Sequence, residues 1–199
     1  MTWQSTNLSR ENTGEKIRRY PTKVINLIGG PSSKKSLVSA DIILQLHLQN
    51  KTVEHLADYA KYLFWQRDYE TLRNQYYVAQ KQYKVLRAID GEVQFIIVEG
   101  SLPQLFYYNR NYKENICDMA KTETQIKQWY SEFENINIFV ERDESPYIQA
   151  GRNQNEAQAK EIDQVMMNLL RKNNIPFISL RPDILKINEF VKNTLLKNL

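Results

Sequence analysis

The sequence predicts an α/β fold, a central parallel sheet held between two layers of helices as a three-layer sandwich. Short apolar, β-branched runs recur at 23–28, 53–56, 93–98, 136–140 and 176–180 of the 199 residues. Longer stretches with apolar residues at helical spacing separate them, and parallel strands need such crossovers. The segments with chemistry to offer, a Gly-Gly-Pro turn, Asp58 and Glu99, each follow directly on a predicted strand. In parallel sheets ligands bind at those carboxyl ends.

Composition narrows the class. Twenty-seven Lys and Arg against 23 Asp and Glu give a net charge of +4 and a pI near 9.0, mildly basic. Much of the excess lies early, in Arg10, Lys16, Arg18 and Arg19. Residues 1–20, with few apolar residues, read as a flexible basic arm before a single domain at 21–199. The lone cysteine, Cys117, excludes an internal disulfide framework. No apolar run approaches the roughly 20 residues that span a bilayer, and the polar start is not a signal peptide. A cytoplasmic protein is expected, with no membrane partner; the sequence leaves the oligomeric state open.

The first element is the strand Lys23-Val24-Ile25-Asn26-Leu27-Ile28. It breaks at Gly29, Gly30 and Pro31, and a helical pattern resumes from about Lys34 with Lys35 and Ser36 at its opening. Strand, small-residue loop and helix opening on Lys-Ser is the layout of a phosphate-binding P-loop. In such a loop, backbone N–H groups and the positive end of the helix dipole converge on one phosphate. The predicted phosphate-binding residues are Gly29, Gly30, Pro31, Ser32, Ser33, Lys34, Lys35, Ser36 and Leu37. Lys35 would reach the terminal phosphates and Ser36 a magnesium ion. One position departs: Lys34 stands where the motif has its second glycine. The plain alternative is a strand–turn–helix connection that binds nothing.

Leu37, Ile42, Ile43, Leu46 and Leu48 carry the first helix to about Asn50, with His47 expected at its surface or at the edge of the core rather than as a ligand. After the strand at 53–56 comes Asp58, then a helical stretch predicted to run unbroken from Tyr69 to about Ile89. That tract offers Arg67, Arg73, Gln75, Tyr76, Tyr77 and Gln80 as substrate contacts. The strand at 93–98 leads into Glu99, a carboxylate suited to holding magnesium. Residues 102–131 read as helical. Residues 142–155 carry no apolar period but do carry Arg142 and Arg152, which suits a lid that stabilises charge on a transferring phosphoryl group. An amphipathic helix at 156–172, a strand at 176–180 and a helix from Pro182 complete the chain.

Taken together, these residues resemble the small P-loop ATPases or kinases common in bacteriophage genomes. That group is related to the nicotinamide riboside kinase domain and, more distantly, to nucleoside and nucleotide kinases. The resemblance covers about residues 23–182. It rests on the 23–31 segment, Asp58-Tyr59-Ala60-Lys61, Asn74-Gln75-Tyr76-Tyr77, the strand ending at Glu99, and Gly151-Arg152-Asn153-Gln154 leading into Ala159-Lys160-Glu161-Ile162-Asp163.

It implies an adenylate-kinase-like core, ATP and Mg2+ as cofactors, and phosphoryl transfer to a small hydroxyl-bearing acceptor. That acceptor would be a nucleoside, a nucleotide or a nicotinamide riboside-like molecule, in the host cytoplasm if the chain is phage-encoded. Lys35 and Ser36 would take the loop roles and Arg142 and Arg152 the lid roles. Asp58, where the family carries a glutamate, would orient or deprotonate the acceptor hydroxyl. Ser36 and Glu99 would hold the metal. The departures are Lys34, the Ala57-Asp58 pair in place of Thr-Glu, and Glu99-Gly100 in place of Asp-Ser. They leave two alternatives open: a catalytically degenerate pseudo-kinase that binds nucleotide or protein, and a kinase of hydroxymethylated bases in DNA, contacting DNA through the basic arm.

Overall fold

Five parallel strands form the sheet: β1 (Lys23–Ile28), β2 (Val53–Leu56), β3 (Phe95–Glu99), β4 (Glu134–Val140) and β5 (Ile178–Leu180), in the order β2-β3-β1-β4-β5. In the computed structural model the described residues are 18–148, 150 and 154–197. The helices are α1 (Lys35–Leu48), α2 (Tyr59–Gln66), α3 (Tyr69–Leu72), α4 (Gln75–Ile89), α5 (Leu102–Asn111), α6 (Met119–Tyr130), α7 (Glu156–Lys172) and α8 (Ile184–Phe190), the last continued by a π-helical turn at Val191–Leu195. The expected three-layer sandwich is what forms.

Because side chains alternate along a strand, β1 feeds both faces of the sheet. Ile25 and Leu27 pack with Val38, Ile42 and Leu46 of α1 and Ile187 and Phe190 of α8. Val24 and Ile28 turn the other way, into a cluster with Leu86 of α4, Phe106 of α5, Trp129 of α6 and Met166 of α7. A strand covered on both faces must be apolar throughout, which is why 23–28 reads as an unbroken run. After Lys23 at its start, its buried polar member, Asn26, is satisfied, donating to Asn135 Oδ1 and Asn137 Oδ1 of β4 at 2.9 and 3.0 Å.

Two stretches expected as continuous helices are broken. The 69–89 tract divides into α3 and α4, because the Asn74 side chain accepts from Tyr77 N at 2.9 Å and starts a new helix. The 102–131 tract divides into α5 and α6, restarted by Asp118 capping Lys121 N. In both places a capping side chain offers the backbone a better terminus than continuation does.

At the amino ends of the strands the chain enters through a clamp. Arg19 N and Tyr20 N donate to Gly91 O at 2.7 and 3.1 Å, and Arg18 pairs with buried Asp90 at 2.8 Å. Gly91 N in turn donates to the Thr22 hydroxyl at 2.8 Å. Residues 1–17, most of the predicted arm and its proposed DNA contact, lie outside the described residues. Among the described residues, no helix is long and apolar enough to cross a membrane.

Candidate functional site

The Gly29–Ser36 loop leaves the carboxyl end of β1, the third strand of the five-strand order, and turns into α1. Gly29 is required where it stands. Its φ is +153°, and a Cβ there would lie 2.7 Å from Ser33 Oγ and 3.2 Å from Val140 O. A Cβ on Gly30 would meet Asp163 Oδ1 at 2.7 Å and Arg142 at 3.0 Å. No side chain caps α1; Leu37 N and Val38 N donate to Lys34 O at 3.0 and 3.1 Å, while the Lys35 and Ser36 N–H groups at its start have no intrahelical acceptor. The Lys35 ammonium folds back over the loop, donating to Gly29 O at 2.6 Å and Gly30 O at 3.0 Å. Burial draws its pKa down to about 8, although Asp58, Glu99 and Asp163 each pull the other way. An ammonium ringed by three carboxylates, beside uncapped amides, can serve a polyanion.

Lys34 occupies the left-handed region, φ 62° and ψ 28°. That conformation explains why the motif has a glycine there, since a side chain costs roughly 1–2 kcal/mol in it. The side chain turns to the 142–148 segment, where its ammonium binds Asp143 Oδ2 and Ser145 Oγ, both at 2.5 Å. The hydrogen bond from Lys34 holds the Asp143 carboxyl below its usual range. Ser32, also left-handed at φ 63°, accepts from Ile148 N at 3.1 Å.

The carboxylates arrive from the two strands on one side of β1. Asp58, directly after β2, caps α2: its Oδ1 accepts from Ala60 N at 3.0 Å and Lys61 N at 3.4 Å. Burial raises its pKa, against the opposing pull of Lys35. Glu99 ends β3 and is buried. One of its oxygens accepts from the Ser36 hydroxyl at 2.7 Å, and the other meets His55 Nε2 at 3.1 Å. Burial alone would raise Glu99, but the hydrogen bonds from His55 and Ser36 outweigh it and hold the pKa below its usual value. Gly100, at φ +68°, allows this crowding, because a Cβ there would lie 2.7 Å from the Asp58 carboxyl. Gly100, one of the departures from the resembled pattern, is therefore the residue that admits Asp58.

An adjacent hydroxyl and ionised carboxylate suit magnesium, a hard cation that takes oxygen ligands. Among the described residues no group of three or more His, Cys, Asp and Glu can hold a metal on its own. Ser36 and Glu99 would therefore share the ion with phosphate oxygens and water, as magnesium prefers.

Arg142 stands at the loop. Its Nη2 donates to Pro31 O at 2.6 Å, and its Nε pairs with Asp163 of α7 at 2.5 Å. Asp163 also accepts from Gly30 N at 2.6 Å, so one carboxylate ties the loop to the arginine. Arg152 lies outside the described residues. Leu37 is exposed on α1, and its backbone N donates to Lys34 O at 3.0 Å. Of the proposed substrate contacts, Gln75 spends its amide on Leu72 O at 2.8 Å, Arg73 pairs with Glu70 at 3.2 Å, and Tyr77 lies beneath Lys81. His47 is exposed, as expected. Sequence reasoning assigned no role to Asp163, His55, Gln82 or Gln104, the last accepting from Gly29 N at 3.3 Å. Their partners lie 21 to 133 residues away for His55, Gln104 and Asp163. Only the Asp163 segment carried a signal, as part of a block that resembles a family.

Compared by sequence, the chain matches no family model and no curated protein. Compared by structure, it is similar to deoxyadenosine kinase from M. mycoides. The form with the products dCMP and a flexible dCDP bound superposes with a TM-score of 0.59 at 19% identity, over 87% of this chain and 99% of that one. The form with bound dATP gives 0.57 at 18% identity, over 86% and 98%. The chain therefore has the P-loop nucleoside kinase fold, a five-stranded parallel sheet flanked by helices.

Proposed function

We propose that the protein is an ATP-dependent kinase that phosphorylates a hydroxyl of a nucleoside, nucleotide or nicotinamide riboside-like acceptor. The observation that carries this reading is the convergence of three strand ends on one ammonium, with Lys35 after β1, Asp58 after β2 and Glu99 at the end of β3. The deoxyadenosine kinase structures that the chain resembles have dATP, dCMP and dCDP bound, which supports a nucleoside or nucleotide as ligand.

In this reading the first-turn amides of α1 and the Lys35 ammonium hold the β- and γ-phosphates. Ser36 and Glu99 orient a magnesium ion, which would neutralise phosphate charge when bound. Asp58 has one oxygen committed to the α2 amides; the other accepts the acceptor hydroxyl's proton. Its raised pKa brings it closer to neutrality, where a general base works best. Arg142 shifts from Pro31 O toward the transferring phosphoryl group, with the 142–148 segment as a lid and Arg152 as its proposed partner.

Transfer of labelled γ-phosphate from ATP with magnesium, across ribonucleosides, deoxynucleosides, their monophosphates and nicotinamide riboside, tests it. A phosphorylated product from at least one acceptor is expected. No product from any acceptor, with or without ATP binding, would overturn it in favour of a second reading, a degenerate pseudo-kinase that binds nucleotide or protein without turnover. That reading is favoured by one observation: Gly29 N and Gly30 N, amides that a phosphate would use, are already taken by Gln104 and Asp163.

A further inference from the structure

Two carboxylates act together only if the strand ends that carry them keep a fixed separation. β2 and β3 pair from Val53↔Phe95 to Leu56↔Val98, and the ladder stops there. The next two carbonyls, Ala57 O and Glu99 O, immediately precede Asp58 and belong to Glu99 itself. Both accept from a single side-chain amide on α4: Gln82 Nε2 donates to Ala57 O at 3.1 Å and to Glu99 O at 3.0 Å. The same side chain's Oε1 accepts from Tyr59 N at 3.4 Å. Gln82 is buried, 2% exposed, so water does not substitute for these bonds. Its amide thus holds the backbone on both sides of Asp58 and at Glu99.

We infer that Gln82 is a positioning residue that sets the Asp58 and Glu99 carboxylates against each other; its catalytic consequence rests on the kinase reading above. An uncharged amide is the group this place requires. Two carbonyls need two N–H donors from one point, and the Tyr59 amide needs an acceptor beside them, which only Asn or Gln supplies. With both N–H groups and the oxygen engaged on backbone, Gln82 has no donor left for a substrate. The aspartate it positions also lies against Gly100, whose missing Cβ would lie 2.7 Å from the Asp58 carboxyl.

The test uses the wild type, Gln82→Met and Gln82→Glu. In the wild type, hydrogen exchange at the Tyr59 amide should be strongly slowed; exchange at the rate of a free amide would overturn the inference without any variant. In Gln82→Met, the Asp58 carboxyl, followed by carbon-13 NMR without ligand, should titrate closer to an ordinary aspartate as it relaxes toward solvent. An unchanged titration would overturn the inference whether or not the protein is a kinase. In the transfer assay, Gln82→Met should lower kcat on the order of 100-fold, as a misplacement of about 1 Å does. The KM for ATP should move little, because the loop and α1 are untouched. Gln82→Glu, equal in shape but presenting acceptors to both carbonyls when ionised, should be worse than Gln82→Met. Equal losses in kcat and ATP affinity, or a Glu variant as active as wild type, would overturn it. A wild type with no transfer activity but with the expected NMR shift would fail the kinase reading and keep the positioning role.

Discussion

The loop half of the site, 29–36 against 142–148, is held by charged side chains, whereas the carboxylate half around Asp58 and Glu99 is held by a neutral amide and a glycine. On the first side Lys35 binds loop carbonyls, Arg142 and Asp163 bridge Pro31 to α7, and Lys34 reaches Asp143 and Ser145. On the second, Gln82 ties two strand ends and Gly100 makes room for Asp58. The difference teaches which half can move. The Lys34–Asp143 pair, with side chains 29% and 34% exposed, is screened by salt and can exchange one partner for another, a phosphate included, whereas the more buried Arg142–Asp163 pair is screened less. Buried neutral hydrogen bonds have no such alternative and keep one geometry.

The largest effect should come from removing the central cation. Lys35→Ala deletes the charge-assisted contact to phosphate and should weaken ATP binding by roughly 1.5–3 kcal/mol. Calorimetric titration of the folded variant checks it, and unchanged affinity would remove the charged half from the account. Next is the neutral half. Gly100→Ala forces a side chain into φ +68° and a Cβ to within 2.7 Å of the Asp58 carboxyl. It should cost about 1–2 kcal/mol of stability and lower kcat while leaving ATP affinity nearly constant. Loss of ATP affinity with kcat preserved would show that the halves are not separable.

A pH series sharpens the same contrast. Phosphate attracts the ammonium form of Lys35, whose pKa burial lowers to about 8. ATP affinity should be level below pH 8 and fall about tenfold per pH unit above it, until the pKa of the bound state is reached. Stability of the free protein runs the opposite way. The folded chain holds this proton less tightly than the unfolded one, so stability rises as pH climbs from about 8 toward 10.5. Lys35→Met should abolish both trends, read by titration and by thermal melting.

The smallest effect is expected at Lys34. Replacing it by glycine relieves about 1–2 kcal/mol of left-handed strain and removes an ion pair worth about 0–1 kcal/mol. Net stability should rise by roughly 1 kcal/mol or less. The 143–148 segment, released from the Lys34 ammonium, should be cut faster by protease, and high salt should speed cutting in the wild type alone. A cutting rate that ignores the substitution would show that charge does not dock this segment. A large gain in ATP affinity would show instead that Lys34 keeps the loop closed.

The fold and the loop half were largely legible. Residues 23–28 are mostly apolar because both sheet faces are covered, and Gly29, Lys35 and Ser36 follow at the spacing expected of a phosphate-binding loop. Glu99 and Asp58 were legible for the same reason: acids just after apolar runs mark strand ends. Gln82 was not, because one glutamine among several on a polar helix announces nothing until its two carbonyls are located. Asp163 sits 133 residues from the amide it receives, and no local pattern spans that distance. The helix breaks at Asn74 and Asp118 did carry cap residues in sequence. Apolar spacing on both sides masked them, so periodicity was read where punctuation decided. Lys34 was legible as an exception, but only its backbone angles show that the conformation the motif needs has survived the residue change.

The entry clamp at the opposite edge of the sheet has a practical meaning. Arg18, Arg19 and Tyr20 grip Asp90 and Gly91 at the start of β1, and the six residues of that strand put about 20 Å between the grip and Gly29. A fluorophore, affinity handle or surface tether attached upstream of residue 18 would therefore load the clamp first, with β1 between it and the loop. Force or crowding applied there should reach the loop only after Arg18 lets go of Asp90, making that end the better place to immobilise the protein for single-molecule work.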